Sequence, residues 1–246
     1  MEMSDGTLRP VRDVRRGDRV RVPVEQGRGR AGGEDSTITT TTTATVQCIV
    51  KTRTEAGVAG LVRLGGEGRG GGLLVTPYHP VRVGGVWSFP CALGPVTPVA
   101  CTAVYSVVLD RGHVLSVGGV ACVAMGHSFT DDNNKEDGSG VCTVVSHPYF
   151  GSLLVRRDLA GMPGYESRGL VELKHDCLRR DPQTGLVCGF KLDRVVVPPP
   201  INSTPALAPA QLAKEWEGEE EGEEEQVVAP SQRILMGMHN VAVPVR

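Results

Sequence analysis

The segment Val75-Thr76-Pro77-Tyr78-His79-Pro80 decides the fold, because it links two apolar stretches through a sharp change of direction. Leu73-Leu74-Val75 leads into it, and Val81 and Val83 follow it before the pair Gly84-Gly85. Short apolar runs on either side of two glycines are typical of a β-hairpin closed by a tight turn. The segment is therefore predicted to be a bend between two strands.

A second informative run extends from Tyr105 to Gly119. Valine-rich stretches at 104–109 and 114–123 flank the turn-forming residues Asp110-Arg111-Gly112, with His113 directly after them. This pattern predicts a second hairpin, in which residues 105–109 pair with residues 114–123.

The composition agrees with a mostly β fold. The 246 residues include 32 glycines and 17 prolines but only 4% aromatic residues, which favours short strands and frequent turns. Towards the N-terminus, Val11 and Val14 and then Val20, Val22 and Val24 alternate with charged residues, as in a half-buried strand.

Three later regions of the chain differ in composition from these predicted strands. Residues 151–161 carry apolar side chains at the spacing of a short amphipathic helix, and residues 181–185 form a strong turn signal. From residue 197 the chain becomes rich in proline and then in glutamate, whose mutual repulsion opposes a packed core. We predict a β-core over 1–128, a small mixed α/β appendage over 129–196 and a disordered tail over 197–246.

Charge and hydropathy exclude several classes of partner. With 26 basic and 28 acidic residues the net charge is −2, so nothing predicts binding to nucleic acid. No apolar stretch reaches the ~18 residues that a membrane span needs, and the N-terminus has no targeting signal. Seven cysteines without a C-x-x-C pair predict reduced, mostly buried thiols in a cytoplasmic protein.

Several blocks together resemble the Hint superfamily, which includes Hedgehog autoprocessing domains and inteins. Thr76 and His79 match its T-x-x-H block, and Tyr105, His113 and Gly119 match a later strand block. The order of further blocks is similar to that of the Vint subfamily: Gly126-His127, His147-Pro148-Tyr149-Phe150-Gly151, Pro163-Gly164-Tyr165 and Arg180-Asp181-Pro182-Gln183-Thr184-Gly185.

This resemblance implies a horseshoe-shaped Hint β-core and a self-processing reaction that needs no cofactor. A cysteine thiol at the first residue attacks the preceding carbonyl, so that an amide becomes a thioester. The substrate is then the protein's own N-terminal flanking polypeptide. The resemblance assigns His79 to protonating the departing nitrogen, Thr76 to holding the scissile amide, and His113 to assisting later steps.

A purely structural interpretation of these residues also stays open. A threonine and a histidine around a proline can satisfy backbone groups at the end of a strand. His113 follows a glycine in a predicted turn, where an exposed histidine without a catalytic role is equally compatible with the sequence.

The expected nucleophile is absent from the sequence. In the family it belongs to a Cys-Phe pair about ten residues before the position of Asp5-Gly6, and Met1 comes too late to include it. Three explanations stay open. The gene model can start downstream of the true first residue, the chain can be a mature fragment cut just downstream of the cysteine, or the lineage can have lost catalysis. The chain as written is predicted to be an inactive self-processing domain, and whether it acts as an enzyme stays open. The alternative is a non-catalytic scaffold that binds protein partners within a von Willebrand A-associated protein.

Other cysteines are not nominated as the nucleophile or as metal ligands. Cys48 and Cys122 alternate within apolar strands, where burial raises a thiol pKa and blocks access. A zinc site from Cys122, His127, Cys142 and His147 has the right residue types but no trusted spacing. The sequence therefore predicts no metal site.

Complete protein splicing is not expected either. The reaction ends at a His-Asn pair, and the block at 120–128 contains no asparagine. His239-Asn240 lies beyond the acidic run and is followed by Val241 rather than by a nucleophilic residue. We interpret this pair as a coincidence.

Overall fold

The computed structural model describes residues 1–23, 41–65, 72–128 and 144–199, together with the backbone of a short strand at 234–236. In these ranges the chain is mostly β, as predicted. The strands are β1 (Arg19–Pro23), β2 (Thr41–Arg53), β3 (Val58–Leu64), β4 (Leu73–Val75), β5 (Val81–Val83), β6 (Val86–Ser88), β7 (Thr97–Ala100), β8 (Ala103–Leu109), β9 (Val114–Val117), β10 (Val120–Val123), β11 (Leu170–Leu173), β12 (Leu178–Arg180), β13 (Val187–Phe190) and β14 (Ile234–Met236). The helices are α1 (Leu153–Ala160) and α2 (Tyr165–Arg168), with short 3₁₀ helices at Val11–Asp13, Pro90–Ala92 and Leu192–Arg194.

The long strand β2 connects most of the molecule. Its first residues pair antiparallel with β1, and its second half pairs antiparallel with β8. On the other side, β2 pairs in parallel with β11, so that Leu170 lies opposite Ile49. Because β11 comes from the appendage, the same sheet contains strands from both parts of the chain.

The sheet β6-β5-β10-β9 follows from glycine-rich turns. Gly84 and Gly85 both have positive φ, as do Gly118 and Gly119, and such pairs close two-residue hairpins of the type I′ class. The hairpin predicted after the Thr76–His79 bend is confirmed as β5–β6. The predicted pairing of 105–109 with 114–123 is wrong, because β8 pairs with β2 and β9 turns back onto β10.

Two further predictions from the sequence have different outcomes. The strand around Val20 and Val22 is confirmed as β1, but residues 11–13 form a 3₁₀ helix rather than a strand. Pro10, whose ring fixes φ, stands directly before this helix at φ −56°. Val11 is nevertheless buried, so its apolar character serves the core in either conformation.

The appendage contains the predicted helix. The α1 helix begins after Ser152, whose side chain accepts a hydrogen bond from the backbone N–H of Leu154. Val155 and Leu159 of this helix are buried in a cluster that also contains side chains of β2, β8 and β10. The antiparallel ribbon β12–β13 follows, and the turn predicted at 181–185 connects its two strands.

Two large clusters of buried side chains fill the described part of the chain. The first lies within residues 1–124. The second combines side chains from β2, β8 and β10 with Tyr149, Phe150 and other apolar residues of the appendage. The aromatic block at 147–151 therefore packs against the β-core, as the sequence indicated.

Some predictions fall outside the described residues. These are the loops at 25–36 and 66–71, Cys142 and, apart from residues 197–199 and 234–236, the predicted disordered tail. Among the helices that the structure describes, none is both long and apolar enough to cross a bilayer.

Candidate functional site

The Thr76–His79 bend lies directly after β4, a strand whose three residues are all buried. Its backbone is closed by a hydrogen bond from the N–H of His79 to the carbonyl of Thr76, at 3.2 Å. Both side chains are withdrawn from solvent, and His79 is fully buried. The structure thus brings two of the three predicted site residues into one buried bend.

A 3₁₀ helix covers the outside of this bend. The N–H of Cys91 donates to the carbonyl of Pro77 at 3.1 Å, and the ring of Tyr78 meets the ring of Phe89 edge-on, with 5.9 Å between centroids. These contacts fix the backbone on both sides of Tyr78. They thereby set the direction in which the His79 side chain points from the backbone.

The orientation of the His79 ring determines where its proton lies. Its Nε2 atom is 3.1 Å from the carbonyl oxygen of Val123. A carbonyl only accepts hydrogen bonds, so Nε2 carries the hydrogen and Nδ1 of the neutral ring is an acceptor. No residue in the described part of the chain hydrogen-bonds Nδ1, although this atom is buried.

The charge state of His79 follows from its burial. Removal from water lowers the pKa of His79 to about 4, against a smaller opposing effect of the bond to Val123. The imidazole is therefore neutral at pH 7, with an unprotonated Nδ1.

The end of β10 and the residue after it place His113, the third predicted site residue, beside the other two. Val123 accepts from His79, and the next N–H, that of Ala124, donates to the carbonyl of His113 at 2.8 Å. The side chain of His113 is exposed, whereas that of His79 is buried. The structure therefore places the backbone of His113 beside the site. Whether its side chain has a catalytic role stays a prediction.

His127 is a further site residue, to which the sequence patterns assigned no catalytic role. It is 2% exposed, and burial lowers its pKa to about 4, with smaller contributions from the nearby His113, His79 and His147. Four histidines thus share one neighbourhood at the junction of β-core and appendage. The sequence signal was the Gly126-His127 block, but only the folded chain shows what surrounds it.

His147 has a structural role in the same neighbourhood. Its Nδ1 accepts hydrogen bonds from the backbone N–H groups of Tyr149 and Phe150, at 3.1 and 3.0 Å. The hydrogen of the neutral ring is therefore on Nε2, which is buried and has no partner among the described residues. Burial lowers the pKa of His147 to about 4.

Buried thiols do not supply a nucleophile here. Burial raises the pKa of Cys48, Cys122 and Cys177 to about 12. Cys122 lies in the first core cluster together with Met1, whose buried amino group donates to the carbonyl of Arg9 at 2.8 Å. A thiol held neutral in this way is a poor nucleophile at pH 7.

No metal centre emerges from the residues that the structure covers. Among them, no group of three or more histidine, cysteine, aspartate or glutamate side chains is arranged to hold a metal ion. Cys142, one of the four ligands considered above, lies outside the described ranges.

The comparisons with known proteins agree with this architecture. No curated protein matches the chain. A family model that describes a Hint domain, named Vint, matches residues 1–189. The match covers more than half of the chain, and it includes the Thr76–His79 bend, the histidine junction and both parts of the buried core. The chain therefore belongs to the Vint family of Hint-domain proteins.

Proposed function

We propose that this domain performs Hint-type autoprocessing in a precursor that carries a flanking polypeptide before Met1. In this reaction a cysteine thiol attacks the carbonyl carbon that precedes it, the C–N bond breaks and a thioester forms. The substrate is the flanking polypeptide itself, and an outside nucleophile then releases it.

The observation that supports this proposal is the orientation of His79. Because Nε2–H is bonded to the carbonyl of Val123, the ring can exchange a proton only at Nδ1, which is unpartnered in the described chain. A neutral Nδ1 can accept the proton of the attacking thiol and then give it to the departing amide nitrogen. The proton thus moves from sulfur to nitrogen while the C–S bond forms and the C–N bond breaks.

The low pKa of His79 is compatible with this shuttle. With a pKa of about 4, the imidazolium is scarce at pH 7, so a mechanism that starts from a protonated ring would lack its acid. A ring that is neutral at rest and charged only during the transfer avoids this difficulty. Thr76, buried three residues earlier, is assigned to holding the scissile amide, and His113 to later steps.

The test is a precursor in which a reporter peptide and a Cys-Phe pair are joined in frame before Met1 through a short spacer, so that the pair lies about ten residues before Asp5, beside a precursor with Ala-Phe. Dithiothreitol should release the reporter from the first precursor only, as measured by mass. His79→Gln can still donate to Val123 but cannot relay a proton, so we expect cleavage to slow by at least ~100-fold. His175→Gln, which changes a half-buried histidine of the appendage, is the matched control.

Two results would count against the proposal. Cleavage at an unchanged rate in His79→Gln would remove its assigned role. A precursor that stays intact with thiol, while circular dichroism shows the fold of the parent chain, would leave the alternative, a non-catalytic domain that binds protein partners.

A further inference from the structure

A cavity of about 220 Å³ lies where the appendage meets the β-core. It is separate from the buried ring of His79, but Tyr78 and Pro80, which flank that residue, line its wall. On the appendage side the walls come from residues 144–148, Phe150 and Leu186. The cavity therefore exists only because the two parts of the chain pack together.

The lining is aromatic and uncharged. Tyr78, Phe89 and Phe150 supply three rings, and none of the described residues in the walls is an aspartate, glutamate, lysine or arginine. The two histidines of the lining, His127 and His147, are neutral at pH 7, because burial lowers the pKa of each to about 4. An ionised ligand would lose hydration here, and the described walls carry no charged side chain that would compensate for it. Arg180, which contributes to the lowered pKa of His147, is not among these lining residues.

The rings are already held in place. Tyr78 contacts Phe89 edge-on, and the ring of His147 lies against Phe150, with 5.0 Å between centroids. His147 is fixed further by the two backbone hydrogen bonds to its Nδ1. A ligand would thus enter a site whose walls are ordered in advance, which reduces the entropy cost of binding.

The volume limits the size of the ligand. An apolar cavity of ~150 Å³ is large enough for benzene, so the volume here matches one six-membered ring with a short substituent. Most ligand sites are larger than this.

We infer that this cavity binds a small, neutral molecule with a single aromatic ring. The inference does not depend on the proposed cleavage reaction, since binding can be measured in the chain as it stands.

The test uses the 246-residue chain and three probes that share one ring and differ in charge: benzyl alcohol, benzoate and benzylamine. Saturation-transfer NMR and calorimetry at pH 7 should show benzyl alcohol binding with a dissociation constant on the order of 1 mM or below. Benzoate and benzylamine should bind at least ~10-fold more weakly, because each must give up its hydration in an uncharged cavity.

Two substitutions locate the binding. Val144→Trp places a large ring at the cavity wall and should weaken benzyl alcohol binding at least ~10-fold. Val86→Trp makes the same change at an exposed position of β6 that does not line the cavity, and binding should be unchanged. Leu186→Trp fills the cavity from another side, so it tests the site if Val144→Trp does not fold.

Three results would overturn the inference. The first is benzoate or benzylamine binding as tightly as benzyl alcohol. The second is binding that survives both filling substitutions. The third is tighter binding of N-acetylphenylalaninamide than of benzyl alcohol, because the cavity would then be a pocket for a polypeptide side chain.

Discussion

At the scale of single residues, burial changes the pKa of three histidines in the same direction. His79, His127 and His147 all have a pKa near 4, and for each of them the largest cause is the loss of contact with water. The folded chain thus leaves these rings neutral over a pH range in which an unfolded chain, with an ordinary histidine pKa of about 6.5, would protonate them.

This difference predicts lower stability in mild acid. Between pH 6.5 and about pH 4 the unfolded chain binds more protons than the folded one, so the free energy of unfolding falls as the pH falls. For the fully buried His79 we expect a loss of about 1–2 kcal/mol between pH 7 and pH 5. Urea unfolding at both pH values measures it.

A substitution isolates this contribution. His79→Gln should reduce the stability difference between pH 7 and pH 5, whereas His175→Gln should leave it nearly unchanged. If both variants lose as much stability as the parent chain on acidification, His79 is not the group that resists protonation.

At the scale of the elements, the sequence predicted local turns and missed long-range pairings. Adjacent glycines at 84–85 act through their own φ angles, so the β5–β6 hairpin could be read from neighbouring residues. The partner of β8 is not encoded in this way. A strand buried on both faces can pair with any apolar strand, and here it takes the distant β2 rather than the adjacent β9.

Gly164 lies directly before α2 and next to the first residue of β11, and this contact gives a prediction about glycine. Gly164 has φ +90°, and a Cβ atom there would overlap the carbonyl oxygen of Leu170, the first residue of β11. Gly185 has φ +69° with open space around it. Both alanine variants therefore incur the left-handed backbone cost of about 1–2 kcal/mol, and only Gly164→Ala adds a clash with backbone.

We expect Gly164→Ala to lower the free energy of unfolding by at least ~2 kcal/mol more than Gly185→Ala does. Urea unfolding of the two variants measures the difference. Equal losses would mean that the α2–β11 junction moves to accommodate the methyl group.

At the scale of the whole molecule, the core and the appendage are not independent. The N–H groups of Gly126 and Ser128 donate to the carbonyls of Phe150 and Gly151, at 2.8 and 2.7 Å, directly beyond the residues that bond His79 and His113. The second buried cluster also combines side chains from both parts, including Val50 of β2.

This shared core predicts that residues 1–128 alone will not behave as a native domain. Without the appendage, apolar side chains of β2, β8 and β10 would face water. A chain that ends after residue 128 should bind the dye ANS and lose cooperative unfolding, whereas the whole 246-residue chain should do neither. Cooperative unfolding of the shorter chain would show that the β-core is self-sufficient.

The site as a whole was only partly predictable. Thr76 and His79 are three positions apart, so a local motif identifies them. His127 lies near both His79 and His147. His147 reaches this neighbourhood only because the appendage packs on the core, and neither spacing nor composition encodes that contact. The tautomer of His79 likewise depends on the carbonyl of Val123, which is 44 positions away in sequence.

The parallel pairing of β2 with β11 has a consequence for the order of folding. Lys51 and Glu172, which form an ion pair across it, are 121 positions apart in sequence. Bringing such distant residues together costs chain entropy before any contact compensates for it, so this pairing is expected to form late. Until then the face that β11 and its neighbours cover is open to other copies of the chain. A refolding yield that falls as protein concentration rises would be the visible sign.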